Sequence, residues 1–322
     1  MRYTGLGRTD LTVSVLALGT WAFGGDWGPF DKADADGAID SALENGITLF
    51  DTAQGYGFGA AEQVLGESLW KRVRRDEVIV ATKGGLRMDG TTLVRDASAS
   101  WLRAGVEASL RNLSTDYIDL YQVHWPDPAT PDEETAAALN QLVSDGMIRH
   151  VGVSNYDAKQ IEALNQHVRV DTLQPPYHMF RRDIEAEILP YTAANDIGVL
   201  AYGPLAHGLL AGRMTPETTF PPDDWRSHSR DFAGETFRRN LDVVARLSDL
   251  AAERSTPLPQ LAVAWTVSNP AVDVAIVGAR RASQLEALTP AADVELSADE
   301  VEAINTILTD AAPVSGPAPE GM

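Results

Sequence analysis

Three apolar runs end in side chains suited to acid–base chemistry. Ile47-Thr48-Leu49-Phe50 ends in Asp51, with Tyr56 five positions on; Val78 to Thr82 ends in Lys83; Tyr117 to Val123 ends in His124. A free phenol, with a pKa of about 10, holds its proton too tightly to be a good acid at neutral pH. An ammonium beside it favours the phenolate and lowers that value, and a carboxylate can keep the ammonium charged and in place. An imidazole within reach can orient a substrate oxygen or share the proton transfer. Such a group suits a reaction in which negative charge grows on an oxygen, as in hydride addition to a carbonyl. Any strand end carries some polar residue, so each of the four alone reads equally well as barrel-rim decoration. Four in this order point to chemistry.

These groups must be delivered to one place, and the pattern around them offers a way. Short β-rich runs alternate with helical stretches, as in parallel βα units. The strand candidates are Val15–Leu18, Ile47–Phe50, Val78–Thr82, Tyr117–Val123, His150–Val153, Thr172–Gln174, Val199–Tyr202 and Val274–Val277. They predict an α/β fold, a closed (β/α)8 TIM barrel, with extra helices after strand 7 and at the C-terminus. Thr130-Pro131-Asp132-Glu133 reads as an N-cap, a first-turn proline and a capping-box glutamate, with Gly146 as the stop. Leu102, Val106, Leu110 and Leu113 share one face of a helix over 100–113. Tyr3 to Leu18 reads as a small hairpin closing the barrel floor. Active sites in this fold lie where strands end. Asp51, Lys83, His124, Asn155, Gln174 and Tyr202 all lie at or just beyond such ends.

One barrel domain is expected over residues 1–312, with 313–322, rich in Pro and Gly, as a poorly ordered tail. The segment from Ala206 to Gly234 is a long Gly/Pro/Thr/Asp-rich loop, of a length that is usually functional or solvated.

Composition bounds the answer. A chain of 322 residues can bury a large core unaided, and the absence of cysteine excludes disulfides and thiolate chemistry. The formal charge of −20 argues against nucleic acid or an anionic membrane as partner and reads as a solubility coat. A small-molecule partner is left, and an anionic one needs local positive charge. No stretch is long and apolar enough to span a bilayer and no leader signature opens the chain, so a cytoplasmic protein, monomeric or weakly homo-oligomeric, is expected. The histidines other than His124 show no metal-ligand spacing, and no G-x-S-x-G elbow is present.

The motifs resemble those of the aldo-keto reductases, over nearly the whole chain from Gly5 to about Asp310. Asp-Thr-Ala-x-x-Tyr-Gly (Asp51 to Gly57), Ala-Thr-Lys (Ala81 to Lys83), Asp116 to Pro126 and Gly-Val-Ser-Asn (Gly152 to Asn155) carry the likeness. Gln122 to Pro128, Gln174-Pro-Pro-Tyr177 and Arg226 within Asp-Asp-Trp-Arg-Ser-His resemble the bacterial branch that holds general stress protein 69 and the inositol-operon reductase. The resemblance implies that Tyr56 is the general acid, with Asp51, Lys83 and His124 completing a tetrad. It implies NADPH-dependent reduction of aldehydes, and of ketones that fit, to alcohols. A second reading within the family is a redox-sensing regulatory subunit that keeps the nucleotide site and turns over little.

Reduction without metal or thiol needs a hydride donor, hence a nicotinamide. By resemblance Ser154, Asn155 and Gln174 hold its carboxamide and Tyr202 stacks on its ring, although Ser154-Asn155 at a strand end also reads as a helix cap. Thr20 and Trp21 join them. The run Gly203-Pro204-Leu205 through Gly208, Leu210, Gly212 and Arg213 resembles the family's cofactor-covering loop, together with Arg226. Gly278, Arg280, Arg281 and Gln284 resemble its phosphate-binding turn, and two adjacent guanidinium groups suit a 2′-phosphate, favouring NADPH over NADH. Many relatives carry Glu-Asn where this chain has Ala287 and Leu288, which leaves adenine recognition open. Gly55-Tyr-Gly-Phe-Gly-Ala60 mimics a Rossmann fingerprint, but Asp76 and Glu77 precede the next strand and cannot reach a ribose. Trp21, Trp27 and Trp125 sit near strand-end loops and could line an apolar substrate pocket or simply pack.

Overall fold

The computed structural model describes residues 1–25, 31–222 and 224–317. Eight parallel strands close a barrel in sequence order: β1 (Leu16–Gly19), β2 (Leu49–Asp51), β3 (Ile79–Gly84), β4 (Ile118–Val123), β5 (Ile148–Ser154), β6 (Thr172–Gln174), β7 (Gly198–Tyr202) and β8 (Val274–Gly278). Every strand read from the sequence is present, with ends shifted by no more than two residues. The runs are apolar on both faces because a parallel barrel covers both: side chains inside meet each other, and those outside meet helices.

Ala17, Leu49, Ala81, Leu120, Leu200, Val274 and Ile276 fill the lower barrel together with Leu6 and Val13 of the N-terminal hairpin (Tyr3–Gly5 paired with Thr12–Ser14). The hairpin is therefore the floor, as expected. Its turn presses on the start of β7 so closely that a Cβ on Gly7 would lie 2.2 Å from the Gly198 nitrogen, and Gly7 also has φ +49°. No side chain larger than hydrogen fits there.

An ionic latch ties this floor to β5. His150 Nε2 lies 2.8 Å from Asp10 Oδ1 on the hairpin, and Nδ1 lies 3.3 Å from Asp171 Oδ2. The hydrogen bond to Asp171 raises the His150 pKa first, burial opposes it, and Asp10 adds to the rise. Asp10 is in turn lowered by the same contact. A histidine raised on folding adds stability that is complete below its unfolded pKa of about 6.5 and lost as pH climbs through the folded value; a lowered carboxylate loses its share only on acidification. The expected outcome is that His150→Asn lowers the melting temperature more at pH 5.5 than at pH 8.5. Equal losses at the two pH values would contradict the latch.

The helix Ala99–Leu113 buries Leu102, Val106 and Leu113 and half-buries Leu110, the face read from the sequence. The next helix departs from the expected cap. It runs Asp132–Ser144 with Pro131, not Thr130, at the N-cap, because the Thr130 hydroxyl is spent on Asp127 Oδ2 at 2.6 Å. Two helices, Gly234–Glu253 and Leu258–Ser268, separate β7 from β8, and Ala298–Leu308 closes the chain, so the extra helices lie where expected. The tail expected to be loose is tied down within the described residues. Asn240 clamps the Ala312 peptide from both sides, Val314 is fully buried, and its N–H donates to the Phe180 carbonyl at 2.9 Å. One apolar side chain with a pocket to fill outweighed the Pro/Gly composition. Among the described residues no helix is long and apolar enough to cross a membrane.

Candidate active site

The four acid–base candidates converge at the C-terminal mouth of the barrel. Asp51 is the last residue of β2, Lys83 the penultimate residue of β3, and His124 follows β4 directly. Along β3 side chains alternate: Ala81 packs in the barrel interior and Lys83 follows on that face, whereas Thr82 turns outward to bond Glu62 at 2.7 Å. Tyr56 opens a short turn, Tyr56–Gly59, beyond β2.

Lys83 is fully buried. Its Nζ stands 2.6 Å from Asp51 Oδ1 and donates to the Thr52 carbonyl at 2.9 Å and the Tyr56 hydroxyl at 3.3 Å. Burial pushes the lysine pKa down, and the charge and hydrogen bond of Asp51 oppose that shift. Gln174 Nε2 holds the other carboxylate oxygen at 2.8 Å. The His124 ring meets Tyr56 edge-on, centroids 5.7 Å apart at 80°. Burial first, and the Lys83 charge second, hold His124 well below its ordinary pKa, so the imidazole is neutral at pH 7. On its other side Tyr56 stacks with Trp21 at 6.0 Å. A phenol bonded to a buried ammonium, beside a neutral imidazole, can deliver a proton to an oxygen that is gaining charge.

The turn that aims Tyr56 is fixed by backbone contact. Gly57 has φ +57°, and a Cβ on it would lie 2.2 Å from the Gly24 carbonyl oxygen in the turn Trp21–Gly24. The glycine run that imitates a dinucleotide fingerprint therefore serves close packing of two turns. The expected result of Gly57→Ala is a kcat lower by about 100-fold, the order of loss that roughly 1 Å of misplacement brings, with the barrel still folded by circular dichroism. Retention of full kcat would show that the turn contact does not aim Tyr56.

Four of the expected cofactor residues form one hydrogen-bonded set. The Ser154 hydroxyl donates to the Gln174 carbonyl at 2.8 Å, Asn155 Nδ2 donates to the His124 carbonyl at 3.1 Å, and the Tyr202 hydroxyl donates to Asn155 Oδ1 at 2.9 Å. Asn155 holds φ +63°, a strained conformation for a non-glycine residue and of a kind that clusters at functional sites. The helix-cap reading of Ser154-Asn155 fails, because Asp157 caps the helix Ala158–Asn165 and forms a capping box with Gln160. Thr20 is fully buried, with its hydroxyl on the Asp51 carbonyl at 3.1 Å.

The second expected set is brought together only in part. Gly203, Gly208 and Gly212 all have positive φ, and at Gly203 and Gly278 a Cβ would meet nothing within 4 Å, so bare backbone faces open space. Arg226 pairs with Asp224 at 2.5 Å and donates to the His207 carbonyl at 2.9 Å. Arg280 feels both the Arg226 guanidinium and the Asp224 carboxylate, so the two arginines lie near one another. Gln284 Oε1 accepts the Arg280 N–H at 2.8 Å. Arg213 and Arg281 are exposed and make no ion pair among the described residues. Leu210 and Pro204 are buried, with Leu210 in the core cluster against Phe237 and Leu261, while Leu205 is half-buried. Leu210 can offer a ligand only its backbone. Leu288, at the position left open for adenine, is packed in the core, and the Ala287 carbonyl accepts Gln260 Nε2.

Of the tryptophans, Trp21 and Trp125 reach the mouth, Trp125 beneath the Arg95 guanidinium at 5.1 Å. Trp27 lies outside the described residues. Two features went unread in the sequence. A second hairpin, Leu86–Asp89 paired with Thr92–Arg95, rises beside the site and brings Leu86 against Gly55 and Arg95 to the Pro126 carbonyl at 3.1 Å. Arg181, in the turn after β6, lines the same mouth. The hairpin had a signal: Asp89-Gly90 between β-rich runs marks such a turn.

With this geometry in view, comparison with known proteins is direct. A model of the aldo/keto reductase family matches residues 15–309. The chain is 43% identical over 310 residues to aldo-keto reductase YhdN of Bacillus subtilis (strain 168), covering 96% of this chain and 94% of that protein. It is 36% identical over 315 residues to the NADH-specific methylglyoxal reductase of Escherichia coli (strain K12), covering 92% and 95%. Among solved structures, the glycerol dehydrogenase AKR11B4 from Gluconobacter oxydans superposes with a TM-score of 0.89 at 37% identity, covering 98% of this chain and 97% of that one. The protein belongs to the aldo/keto reductase family. It is an oxidoreductase of carbonyl compounds, of a family that uses nicotinamide cofactors.

Proposed function

We propose that the protein reduces aldehydes, and ketones that fit, to alcohols with NADPH as donor and Tyr56 as general acid. The observation that carries this reading is the buried Lys83 ammonium placed between Asp51 at 2.6 Å and the Tyr56 hydroxyl at 3.3 Å. The phenol gives its proton to the carbonyl oxygen. The phenolate left behind is stabilised by the Lys83 ammonium, and solvent returns the proton. Asp51 keeps the lysine in place, and Gln174 keeps Asp51 in place. The neutral His124 imidazole donates a hydrogen bond that orients the substrate oxygen.

The residues present fit a dinucleotide. Ser154, Asn155, Gln174 and Tyr202 would hold the nicotinamide, while the bare backbone at Gly203 and Gly278 would face the phosphates. Bound there, the reduced nicotinamide supplies the hydride. The preference for NADPH rests on Arg226 and Arg280, two guanidinium groups close enough to feel one another beside Asp224, a pairing of the kind that suits a 2′-phosphate. Because one relative is named NADH-specific, the two donors are compared in the test. Titration with NADPH and NADH, followed by short aldehydes and 2-oxoaldehydes, is expected to show tighter NADPH binding and aldehyde-dependent oxidation. Binding without oxidation of either donor by any carbonyl would sink the reading.

A further inference from the structure

A buried carboxylate behind the barrel wall takes no part in the chemistry described above. Glu62 is 0% exposed on the helix Ala60–Leu69, which continues directly from the Tyr56–Gly59 turn. Its Oε1 accepts from the Thr82 hydroxyl at 2.7 Å and its Oε2 from Asn112 Nδ2 at 3.0 Å. Among the described residues it forms no salt bridge, and the Lys83 ammonium pairs instead with Asp51. A carboxylate held out of water without a paired cation is costly. A glutamine would fill the same space without that cost.

Its two partners lead to the two halves of the proton-transfer device. Thr82 immediately precedes Lys83 on β3, and side chains alternate along a strand, so Glu62 and the ammonium lie behind and in front of the same strand. Asn112 leads to the Tyr56 turn: a Cβ on Gly59, the last residue of that turn, would lie 2.5 Å from Asn112 Nδ2. Asn112 Oδ1 accepts from Gln63 Nε2 at 3.3 Å, which directs Nδ2 to the carboxylate.

Burial raises the Glu62 pKa, while the bonds from Thr82, Asn112 and Ser109, and then the Lys83 charge, hold it down. Burial lowers the Lys83 pKa, and the Glu62 charge joins Asp51 in opposing that shift. The titratable groups facing Glu62 are Lys83 from β3 and Tyr121 from β4, whose phenol is raised first by burial and then by Glu62. The helix Ala99–Leu113 brings the neutral Ser109 and Asn112. Asp36 and Asp40, from the helix Lys32–Glu44, meet Arg72 beyond the far end of the Glu62 helix.

We propose that Glu62 is a positioning residue for the proton transfer: from behind the barrel wall its carboxylate keeps Lys83 charged, and through Thr82 and Asn112 it ties the Tyr56 turn to β3. The inference rests on the function proposed above and deepens it. A buried anion holds protons on its neighbours, so its removal lets Lys83 and Tyr56 lose theirs at lower pH. Propanal reduction with NADPH, followed across pH, tests this in Glu62→Gln, which keeps the shape and loses the charge, and in Glu62→Asp, which keeps the charge. In Glu62→Gln the alkaline fall of kcat should move to lower pH. On that falling side kcat should be about tenfold below the unaltered protein at the same pH, as a shift of about one unit requires. The KM for propanal and the affinity for NADPH should hold, and Glu62→Asp should restore the profile.

An unmoved profile in Glu62→Gln would overturn the proposal, and so would equal losses in the Gln and Asp variants, which mark a role in packing alone. Ultraviolet titration of the Tyr56 phenol, read as the difference from Tyr56→Phe, needs no turnover and separates this failure from the other. A Tyr56 titration that Glu62→Gln moves to lower pH, in a protein that reduces no carbonyl, refutes the reductase and keeps the role of Glu62. Propanal turnover with neither the profile nor the titration moved refutes Glu62 and leaves the reductase standing. Neutron diffraction of the unaltered protein covers the case in which Glu62→Gln does not fold. A bare Glu62 carboxylate behind a fully deuterated Lys83 ammonium at neutral pD agrees with the proposal, and a deuteron on Glu62 overturns it.

Discussion

Tyr56→Phe should bind NADPH about as well as the unaltered protein and lose most of its turnover, on the order of a thousandfold in kcat, the scale of a removed general acid. The hydroxyl accepts from Lys83 Nζ at 3.3 Å. The net worth of a typical hydrogen bond, about 0.5–1.5 kcal/mol, sets the expected scale of the stability loss. The ring keeps its packing between Trp21 and His124. Parallel measurement of kcat, NADPH affinity and melting temperature separates a chemical effect from a structural one. A well-folded variant with ordinary turnover would remove Tyr56 from the mechanism.

Lys83→Met should be damaging in both respects. The lysine is fully buried, and removing it strands the Asp51 carboxylate, itself 2% exposed, with the Gln174 amide as its remaining side-chain partner among the described residues. Breaking a buried pair on one side costs about 3–5 kcal/mol, because the remaining charge is left uncompensated. Turnover should fall at least as far as in Tyr56→Phe, since no cation is left to stabilise the phenolate. The double variant Asp51→Asn, Lys83→Met distinguishes the two effects. It should recover much of the lost melting temperature and none of the turnover. Turnover that returns with stability would mean the lysine only supports the fold.

The barrel and the tetrad were legible because each follows a short-range rule. Strands buried on both faces read as unbroken apolar runs, and the site of a parallel barrel must lie where those runs stop. Asp51, Lys83 and His124 each follow such a run directly, so their convergence could be read from spacing. What the sequence hid depends on three-dimensional neighbours. Leu210 looks like part of a cofactor loop, but its side chain points into a core built from the helices Gly234–Glu253 and Leu258–Ser268. Arg213 and Arg281 look like phosphate ligands in sequence and stand exposed in the fold, whereas Arg226 and Arg280 meet from loops more than fifty residues apart. Val314 is one apolar residue in a Pro/Gly tail, and no local pattern reveals that a pocket beside Phe180 receives it. The 86–95 hairpin is different, since its Asp-Gly turn was visible and was passed over.

The most direct test of the account is where a hydride goes. Reaction of an aldehyde with NADPH deuterated on the transferred face of C4 should give an alcohol with one deuterium at the former carbonyl carbon, and solvent deuterium should not enter there. The same reaction with Tyr56→Phe should give the same label at a much lower rate. Product labelled from solvent, or NADPH consumed without labelled alcohol, would contradict direct transfer within a site built on Asp51, Tyr56, Lys83 and His124.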